Sequence, residues 1–172
     1  MMSTHEALQR WVKAHNADDV KYLKSVYAAD SVFQLKGAGA TSTRGSAIKM
    51  AEFDYATGTQ RDVRTSWIMG DEIQAEVTER SALLEAAGIH EAHYNGQFIV
   101  RGGQIAFVQL EPTAETRQAT DHVLSEFVAW ASTARPQGLA RVMPGGRMRY
   151  DAEAGRKMLE LVREWRLAAR ST

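Results

Sequence analysis

The clearest pattern in this chain is a pair of runs in which apolar and polar residues alternate on either side of Gly102-Gly103. The two runs read HYNGQFIVR and IAFVQLE. Alternation with a period of two is typical of a β strand, and adjacent glycines supply the positive φ angles that a two-residue hairpin loop requires. The pattern therefore predicts a hairpin over 90–111, with residues 90–101 as its first strand.

Three segments near the N terminus carry apolar residues at helical spacing and predict three helices. The first spans about 4–15 and begins at a capping-box pattern at Ser3. The second has apolar positions over 20–27 and is followed by the short strand SVFQLK and a turn-rich segment, KGAGATSTRG. The third, AIKMAEFDYA, is capped by Thr43 or Ser46.

Two further alternating runs predict strands over 62–70 and 72–87, which meet at Gly70-Asp71. The order of elements up to Pro112 is then α-α-β-α-β-β-β-β. Such an order favours an α+β fold in which three helices pack on a curved antiparallel meander. A sheet wrapped around helices in this way makes a pocket.

The character of the chain changes after Pro112, which divides a domain over 1–112 from a helical extension over 113–172. Helical spacing predicts a helix over 113–133, and the following run RPQGLARVMPGGRMRY is expected to be irregular or a small hairpin. Asp151 caps a last helix whose apolar stripe is expected to dock on the sheet or on a partner subunit. The stripe consists of Met158, Leu161, Val162 and Trp165.

Composition narrows the classes of function. The formal net charge of +0 argues against binding to nucleic acid or to an anionic membrane, since both attract a net basic surface. The chain has no cysteine, which excludes disulfides, thiolate catalysis and zinc–thiolate sites and is compatible with the cytoplasm, the location we expect. No window approaches about 18 apolar residues, so we expect neither a signal peptide nor a membrane span.

Four pieces of the chain, in order, resemble the nuclear transport factor 2-like superfamily and especially its SnoaL-like branch: ADDVKYLKSVYAADSVF, RGSAI, GDEIQAEV and FIVRGGQIAFVQ. The resemblance covers about residues 4–111. It implies a cone-shaped fold with three helices on a strongly bent sheet, an open apolar cavity and frequent dimers. Members include polyketide cyclases, ketosteroid isomerases, dehydratases, epoxide hydrolases and binding proteins, so the fold does not fix the function.

Strand alternation sorts the candidate catalytic residues by face. On the 90–101 strand, Phe98 is expected to face the core, which places Tyr94 and His90 on the same side. His90 has the side chain best suited to acid or base work near neutral pH, and the Tyr94 hydroxyl is suited to binding a developing enolate or carbonyl oxygen. His93 points to the opposite face, so the two histidines cannot chelate one metal ion and we expect no metal site.

The 72–87 strand contributes the third candidate. Ile73 and Val77 face inward, and extrapolation adds Glu79, whose pKa would rise on burial. Glu79 would orient His90 or act as the base itself. A bulge at the adjacent leucines 83 and 84 is the alternative, and it would bring Arg80 inward instead.

The expected ligand contacts are aromatic, apart from one acid. Asp54, on the third helix, would overhang the mouth of the pocket, although a solvent-facing aspartate is the simpler interpretation. Aromatic side chains would line the site of a flat ligand, although packing in the core explains them equally well. These side chains are Trp11, Tyr27, Trp67 and Phe98.

Several departures from the family motifs restrict the chemistry. The resemblance places the base of the ketosteroid isomerases near Leu35, where FQLKG has no carboxylate. The Arg-Asp-Asp arrangement of the epoxide hydrolases is not visible on the sheet, and the closing strand IAFVQLE lacks the acidic and histidine residues common in cyclase hairpins. Dehydratase chemistry needs paired inward histidines, of which His90 alone qualifies.

These observations lead to a first hypothesis: the cone binds a hydrophobic small molecule and, if it is an enzyme, performs cofactor-free acid/base chemistry. Isomerisation, cyclisation and dehydration are the reaction types we consider, with His90, Tyr94 and Glu79 as the catalytic residues. The broad sheet face and the apolar stripe of the extension also lead us to expect a homodimer.

A second hypothesis is a non-catalytic binding or assembly module, in which the extension recruits a partner and Trp and Met side chains fill the cavity. A packed interior would favour it, whereas an open cavity containing His90 and Tyr94 would favour catalysis. From Arg135 onward the chain holds nine Lys or Arg against four Asp or Glu, so a nucleic-acid-binding tail ranks third. That tail requires one shared face for Arg135, Arg141, Arg147, Arg149 and Arg156.

Overall fold

The computed structural model describes residues 2–37 and 42–172. The three predicted N-terminal helices are present. The predicted caps are present at Ser3 of the first helix and Thr43 of the third. Tyr27, however, begins a strand instead of ending the second helix. The bounds are α1 Thr4–Asn16, α2 Val20–Val26, β1 Tyr27–Leu35, β2 Ser42–Thr43 and α3 Arg44–Ala56. The predicted turn-rich segment 36–45 lies partly outside the described residues.

The strands form one curved, unclosed sheet in the order β2-β1-β6-β5-β4-β3. The remaining strands are β3 Gln60–Met69, β4 Glu72–Arg80, β5 Ala92–Arg101 and β6 Gln104–Pro112. β1 and β6 are parallel, and every other neighbouring pair is antiparallel. Gly102 and Gly103 have φ values of 57° and 76°, which confirms the glycine hairpin between β5 and β6. The α+β cone predicted from the sequence is therefore confirmed.

The predicted strand over 72–87 is wrong in its second half. β4 ends at Arg80, and a short helix, α4 (Ala82–Ala86), follows it, capped by the Ser81 hydroxyl. Leu83 and Leu84 lie on this helix and not in a strand bulge, and Leu83 packs against the second core. The pairing of β4 with β5 is regular up to Glu79, so Glu79 faces inward as predicted.

The extension is almost entirely helical, and its elements are α5 Ala114–Ala134, α6 Pro136–Val142 and α7 Ala152–Arg170. The expectation of an irregular region or hairpin after α5 is therefore wrong: α6 and a single 3₁₀ turn occupy it. Asp151 caps α7 as predicted, through its side chain and the Ala154 amide. Within the described ranges, no helix combines the length and apolarity that crossing a bilayer requires.

Two hydrophobic cores share α3. The first fills the cone and contains Trp11, Tyr27 and Phe98, whereas the second contains Phe127 and joins α5, α6 and α7 to Phe53 of α3. The apolar stripe of α7 belongs to the second core, so it docks on α3 and on the other helices of the extension, not on the sheet. It is buried without a partner subunit. The division into two domains stays a prediction.

Candidate functional site

Arg61 lies at the centre of a buried group of charges inside the cone. It is the second residue of β3, and its side chain is 7% exposed. Its Nη2 donates a hydrogen bond to Asp54 Oδ2 at 2.8 Å and lies 2.9 Å from Glu79 Oε2. Because α3 supplies the aspartate and β4 supplies the glutamate, three elements converge on one guanidinium. We call Asp54, Arg61 and Glu79 the ionic cluster.

The ionic cluster holds two carboxyl groups against one cation. Burial raises the pKa of Asp54 and of Glu79, and the positive charge of Arg61 opposes this rise without cancelling it. Burial by itself would lower the pKa of Arg61, but the two neighbouring acids raise it, so the guanidinium stays charged. A buried site with one acid in excess favours retention of a proton on the carboxyl pair. The pair can therefore both donate and accept a proton.

On its inner side Arg61 contacts a hydrogen-bonded aromatic group. Arg61 Nη1 lies 3.2 Å from His15 Nδ1, and because a guanidinium can only donate, Nδ1 accepts and the imidazole proton is on Nε2. His15 Nε2 then donates to the Tyr27 hydroxyl at 3.0 Å, which also accepts from Trp11 Nε1 at 2.7 Å. Burial and the charge of Arg61 lower the pKa of His15 well below its usual value, so the ring is neutral.

Two tyrosines border the ionic cluster on its outer side: Tyr94 of β5 and Tyr150, which directly precedes the cap of α7. Both are half-buried, and neither hydroxyl has a hydrogen-bond partner among the residues that the structure describes. Burial raises the pKa of both tyrosines, to about 12 for Tyr150, and the negative charges of Asp54 and Glu79 add to the rise. Both hydroxyls are therefore protonated donors at neutral pH.

A further donor of the ionic cluster also lacks a protein partner. Arg61 Nε is buried and makes no hydrogen bond within the described part of the chain. The side chains of Asp54 and Glu79 are 12% and 15% exposed, so the outer edge of the cluster is reachable from solvent. Buried donors without partners are rare in folded proteins, and beside an accessible edge they are typical of a place that water or a ligand completes.

Of the three predicted catalytic residues, the structure brings two together. Glu79 belongs to the ionic cluster, and Tyr94 lies beside it on the same inner face as Phe98. The predicted position of His90 is wrong: it is exposed in the bend between α4 and β5, because β5 begins at Ala92. Strand alternation has no meaning across a helix and a turn, so extrapolating it to His90 failed.

Of the five predicted ligand contacts, four lie at or next to the ionic cluster and one does not. Asp54 belongs to the ionic cluster, and Trp11, Tyr27 and Phe98 are almost completely buried beside or beneath it. Trp67 is instead 43% exposed near the end of the β3–β4 hairpin, so its predicted place in the cavity is wrong. The register shifts between Thr65 and Trp67, and this irregularity turns the indole away from the interior.

The sequence analysis missed three residues of the site. Arg61 follows from strand alternation once β3 is extended back to Gln60, since it lies two positions before the inward-facing Val63. His15 lies in the apolar stripe of α1, a signal that indicates burial and not a polar contact. No local signal could have identified Tyr150, because it reaches the cluster through the packing of the extension on α3.

The sequence analysis found no Arg-Asp-Asp arrangement on the sheet. The structure does place an arginine between two acids, but one of them is a glutamate and the other, Asp54, comes from α3 and not from a strand. Among the described residues, no group of three or more His, Asp or Glu is placed to hold a metal ion.

A separate groove lies between α4 and α7 and has a volume of about 860 Å³. Three arginines line it together with Glu85, and no tyrosine or carboxyl pair is present in its lining. Such a basic surface is suited to an anion. The arginines are Arg163, Arg166 and Arg170.

Comparison with known proteins adds the fold and no function. No family model matches the chain, and no curated protein matches it. The chain is similar to the solved structure of IdmH from Streptomyces antibioticus, a proposed polyketide cyclase, with 19% identity, a TM-score of 0.58 and coverage of 70% of this chain and 99% of that one.

Two further solved structures are similar. One is a hypothetical protein with a ketosteroid isomerase-like fold from Catenulispora acidiphila, in complex with trimethylamine (19% identity, TM-score 0.58, 66% of this chain and 90% of that one). The other is a nuclear transport factor 2-like protein of unknown function from Cytophaga hutchinsonii (9% identity, TM-score 0.54, 67% and 94%). At such low identities these similarities establish the fold alone.

Proposed function

We propose that this chain, which has the nuclear transport factor 2-like fold, binds a small hydrophobic molecule at the outer edge of the ionic cluster and catalyses a cofactor-free proton transfer on it. The observation that carries the proposal is the pair of buried carboxyl groups, Asp54 and Glu79, on the single guanidinium of Arg61. Two acids that share a proton supply a base and an acid in one place.

We assign the roles from the geometry of the two central strands. Glu79 pairs with Ala92 in the register of β4 and β5, and Tyr94 lies two residues farther along the same inner face. Such diagonal neighbours are about 7–8 Å apart, close enough for one ligand to touch both. Glu79, ionised, takes a proton from the ligand, and Asp54, which carries the proton held by the pair, gives its proton to the ligand. Tyr94 donates a hydrogen bond to the oxygen on which negative charge develops.

Isomerisation, cyclisation and dehydration are the reaction classes that these roles suit. Each removes a proton from a carbon next to a carbonyl group or moves a proton between oxygen and carbon. The similarity to IdmH and to a protein with a ketosteroid isomerase-like fold supports this choice as an analogy of fold.

The test combines native mass spectrometry with thermal shift on the full chain, using polyketide-like and steroid-like compounds and trimethylamine. Compounds that bind are then assayed for proton exchange and turnover. We expect Glu79→Gln to lower turnover at least about 100-fold, the usual effect of removing a general base. The matched control is Glu76→Gln, since Glu76 lies on the same strand, is exposed and faces outward. Equal turnover in Glu79→Gln and the control would rule out the assigned base.

The non-catalytic module remains the second candidate, because the inner half of the cone is packed. Trp11 and Tyr27 are 0% and 1% exposed, so a ligand reaches only the outer edge of the cluster. In this case the compounds bind, Glu79→Gln weakens binding, and no turnover occurs. The version in which the α7 stripe recruits a partner is disfavoured, because that stripe is buried within the chain.

A further inference from the structure

We infer that Tyr150, from the C-terminal extension, is a substrate-contacting residue that donates a hydrogen bond to a carbonyl or hydroxyl oxygen of the ligand. This inference rests on the proposed function and deepens it, because it makes the site a joint product of the cone and the extension. It also states which functional group the ligand presents next to its apolar body.

The position of Tyr150 is held from both sides along the chain. Arg149, directly before it, forms ion pairs with Asp151 at 2.5 Å and with Glu153 at 3.1 Å. Asp151, directly after it, caps α7 through the Ala154 amide at 2.8 Å. The residues on each side of Tyr150 are therefore tied to the first turn of α7, which fixes the place of Tyr150 along the chain.

Close contact between α7 and α3 brings this turn to the ionic cluster. Gly155 permits the contact, since a Cβ at this position would lie 2.8 Å from the carbonyl oxygen of Phe53 and 3.0 Å from the Cβ of Ala56. The Tyr150 ring packs edge-on against the Phe53 ring, with 5.2 Å between centroids. Phe53 belongs to the second core and directly precedes Asp54, and the charges of Asp54 and Glu79 both act on the Tyr150 phenol, which places the phenol near the cluster.

The Tyr150 side chain has the properties of a ligand donor. It is half-buried, the charges of Asp54 and Glu79 act on it, and its hydroxyl has no hydrogen-bond partner among the described residues. The negative charges of Asp54 and Glu79 favour the protonated phenol, which keeps it a donor across the physiological pH range. A half-buried donor without a partner costs stability unless water or a ligand completes it. Tyr94 presents a second such hydroxyl beside the same cluster.

Each of the three solved structures described above is matched over at least 90% of its length by about two thirds of this chain. About one third of this chain therefore lies outside each match.

The experiment measures the affinity of each bound compound and of its analogue without the oxygen function, for the native chain and for Tyr150→Phe. We expect the substitution to weaken binding of the oxygenated compound about 3- to 10-fold, the range for one hydrogen bond, and to leave the analogue unaffected. The matched control is Tyr22→Phe, since Tyr22 is a half-buried tyrosine on α2. Unchanged melting temperatures exclude a folding defect.

The outcomes separate this inference from the proposed function. If Tyr150→Phe binds both compounds like the native chain while Glu79→Gln does not, Tyr150 is no ligand contact and the proposed function stands. If the oxygenated compound and its analogue lose affinity equally, the contact is apolar packing and the inference is wrong. If no compound binds the native chain, the proposed function fails and this inference fails with it.

Discussion

At the scale of single residues, the unusual feature of this protein is one buried guanidinium that serves two carboxylates. Breaking a buried ion pair is costly because the remaining charge is left in a medium that solvates it poorly. Here the removal of one cation would leave two buried acids, Asp54 and Glu79, without a counter-ion. The loss of Arg61 should therefore be costly to the fold.

We predict that Arg61→Met lowers the free energy of unfolding at pH 7 by about 3–5 kcal/mol, as for other broken buried pairs. The pKa of both acids is already raised by burial, and it rises further without the guanidinium. When the pKa of an acid is higher in the folded protein than in the unfolded one, the folded protein keeps the proton to a higher pH. The free energy of unfolding therefore falls as the pH rises from the unfolded pKa through the folded pKa. The difference in unfolding free energy between the native chain and Arg61→Met should therefore become smaller as the pH is lowered from 7 to 5. Urea unfolding at each pH would measure it.

The matched control for this prediction is Arg64→Met on the same strand. Arg64 is also paired with a glutamate, Glu76, but its side chain is 80% exposed. Exposed pairs contribute about 0–1 kcal/mol because water screens them. Two results would contradict the assignment of two buried acids to one cation. One is a loss of stability in Arg61→Met as small as that in the control, and the other is a loss that grows at acidic pH.

At the scale of elements, the contact between α7 and α3 decides whether the site is complete. We predict that Gly155→Ala lowers the free energy of unfolding by about 1–3 kcal/mol, the range for overpacking, because the new methyl group would meet the backbone of α3. It should also weaken ligand binding by displacing Tyr150. Urea unfolding and the binding assay would measure the two effects.

Gly138→Ala on α6 is the matched control for the helix contact. Gly138 is also a helical glycine of the extension, but an added Cβ would meet the side-chain ends of Leu161, at 3.1 Å, and of Lys157 instead of backbone. Side-chain ends yield more easily than backbone, and alanine has the higher helix propensity, so this variant should lose less stability than Gly155→Ala. If both variants behave alike, close packing of α7 on α3 is not what holds Tyr150 in place.

The elements themselves were largely predictable from the sequence, because their signals are local. Caps at Ser3, Thr43 and Asp151, and the glycine hairpin, depend on residues a few positions apart. The errors arose where one element was extrapolated into the next, as at α4, which interrupts the run from Glu79 to His90. A helix of five residues has too few positions to reveal its period.

At the scale of the whole molecule, the outer face of the sheet offers a surface for self-association. A row of glutamines crosses four neighbouring strands, and exposed apolar side chains lie close to it. The row consists of Gln34, Gln109, Gln97 and Gln74, and the apolar neighbours are Trp67 and Ile99. The other ground for a dimer, the α7 stripe, is buried within the chain. We therefore propose a homodimer through the sheet face.

We predict a dimer at micromolar concentration, and dissociation to monomers in Ile99→Lys, because the substitution places a charge in an apolar contact. Light scattering or native mass spectrometry would measure the mass. The control is Leu167→Lys, since Leu167 is 64% exposed but lies on α7, away from the sheet. A monomeric native chain would contradict the proposed dimer, and a dimer that persists in Ile99→Lys would contradict the proposed face.

The sequence by itself determined the α+β class, the helix caps, the hairpin and the inward faces of Tyr94, Phe98 and Glu79, because each depends on spacing within one element. Tertiary structure alone decided that Asp54 and Glu79 meet on Arg61, that His90 remains at the surface, and that the extension delivers Tyr150. Periodicity says which way a side chain points along its own helix or strand. Contacts between charges from α3, β3 and β4 depend on how the three elements pack together, which no local pattern encodes.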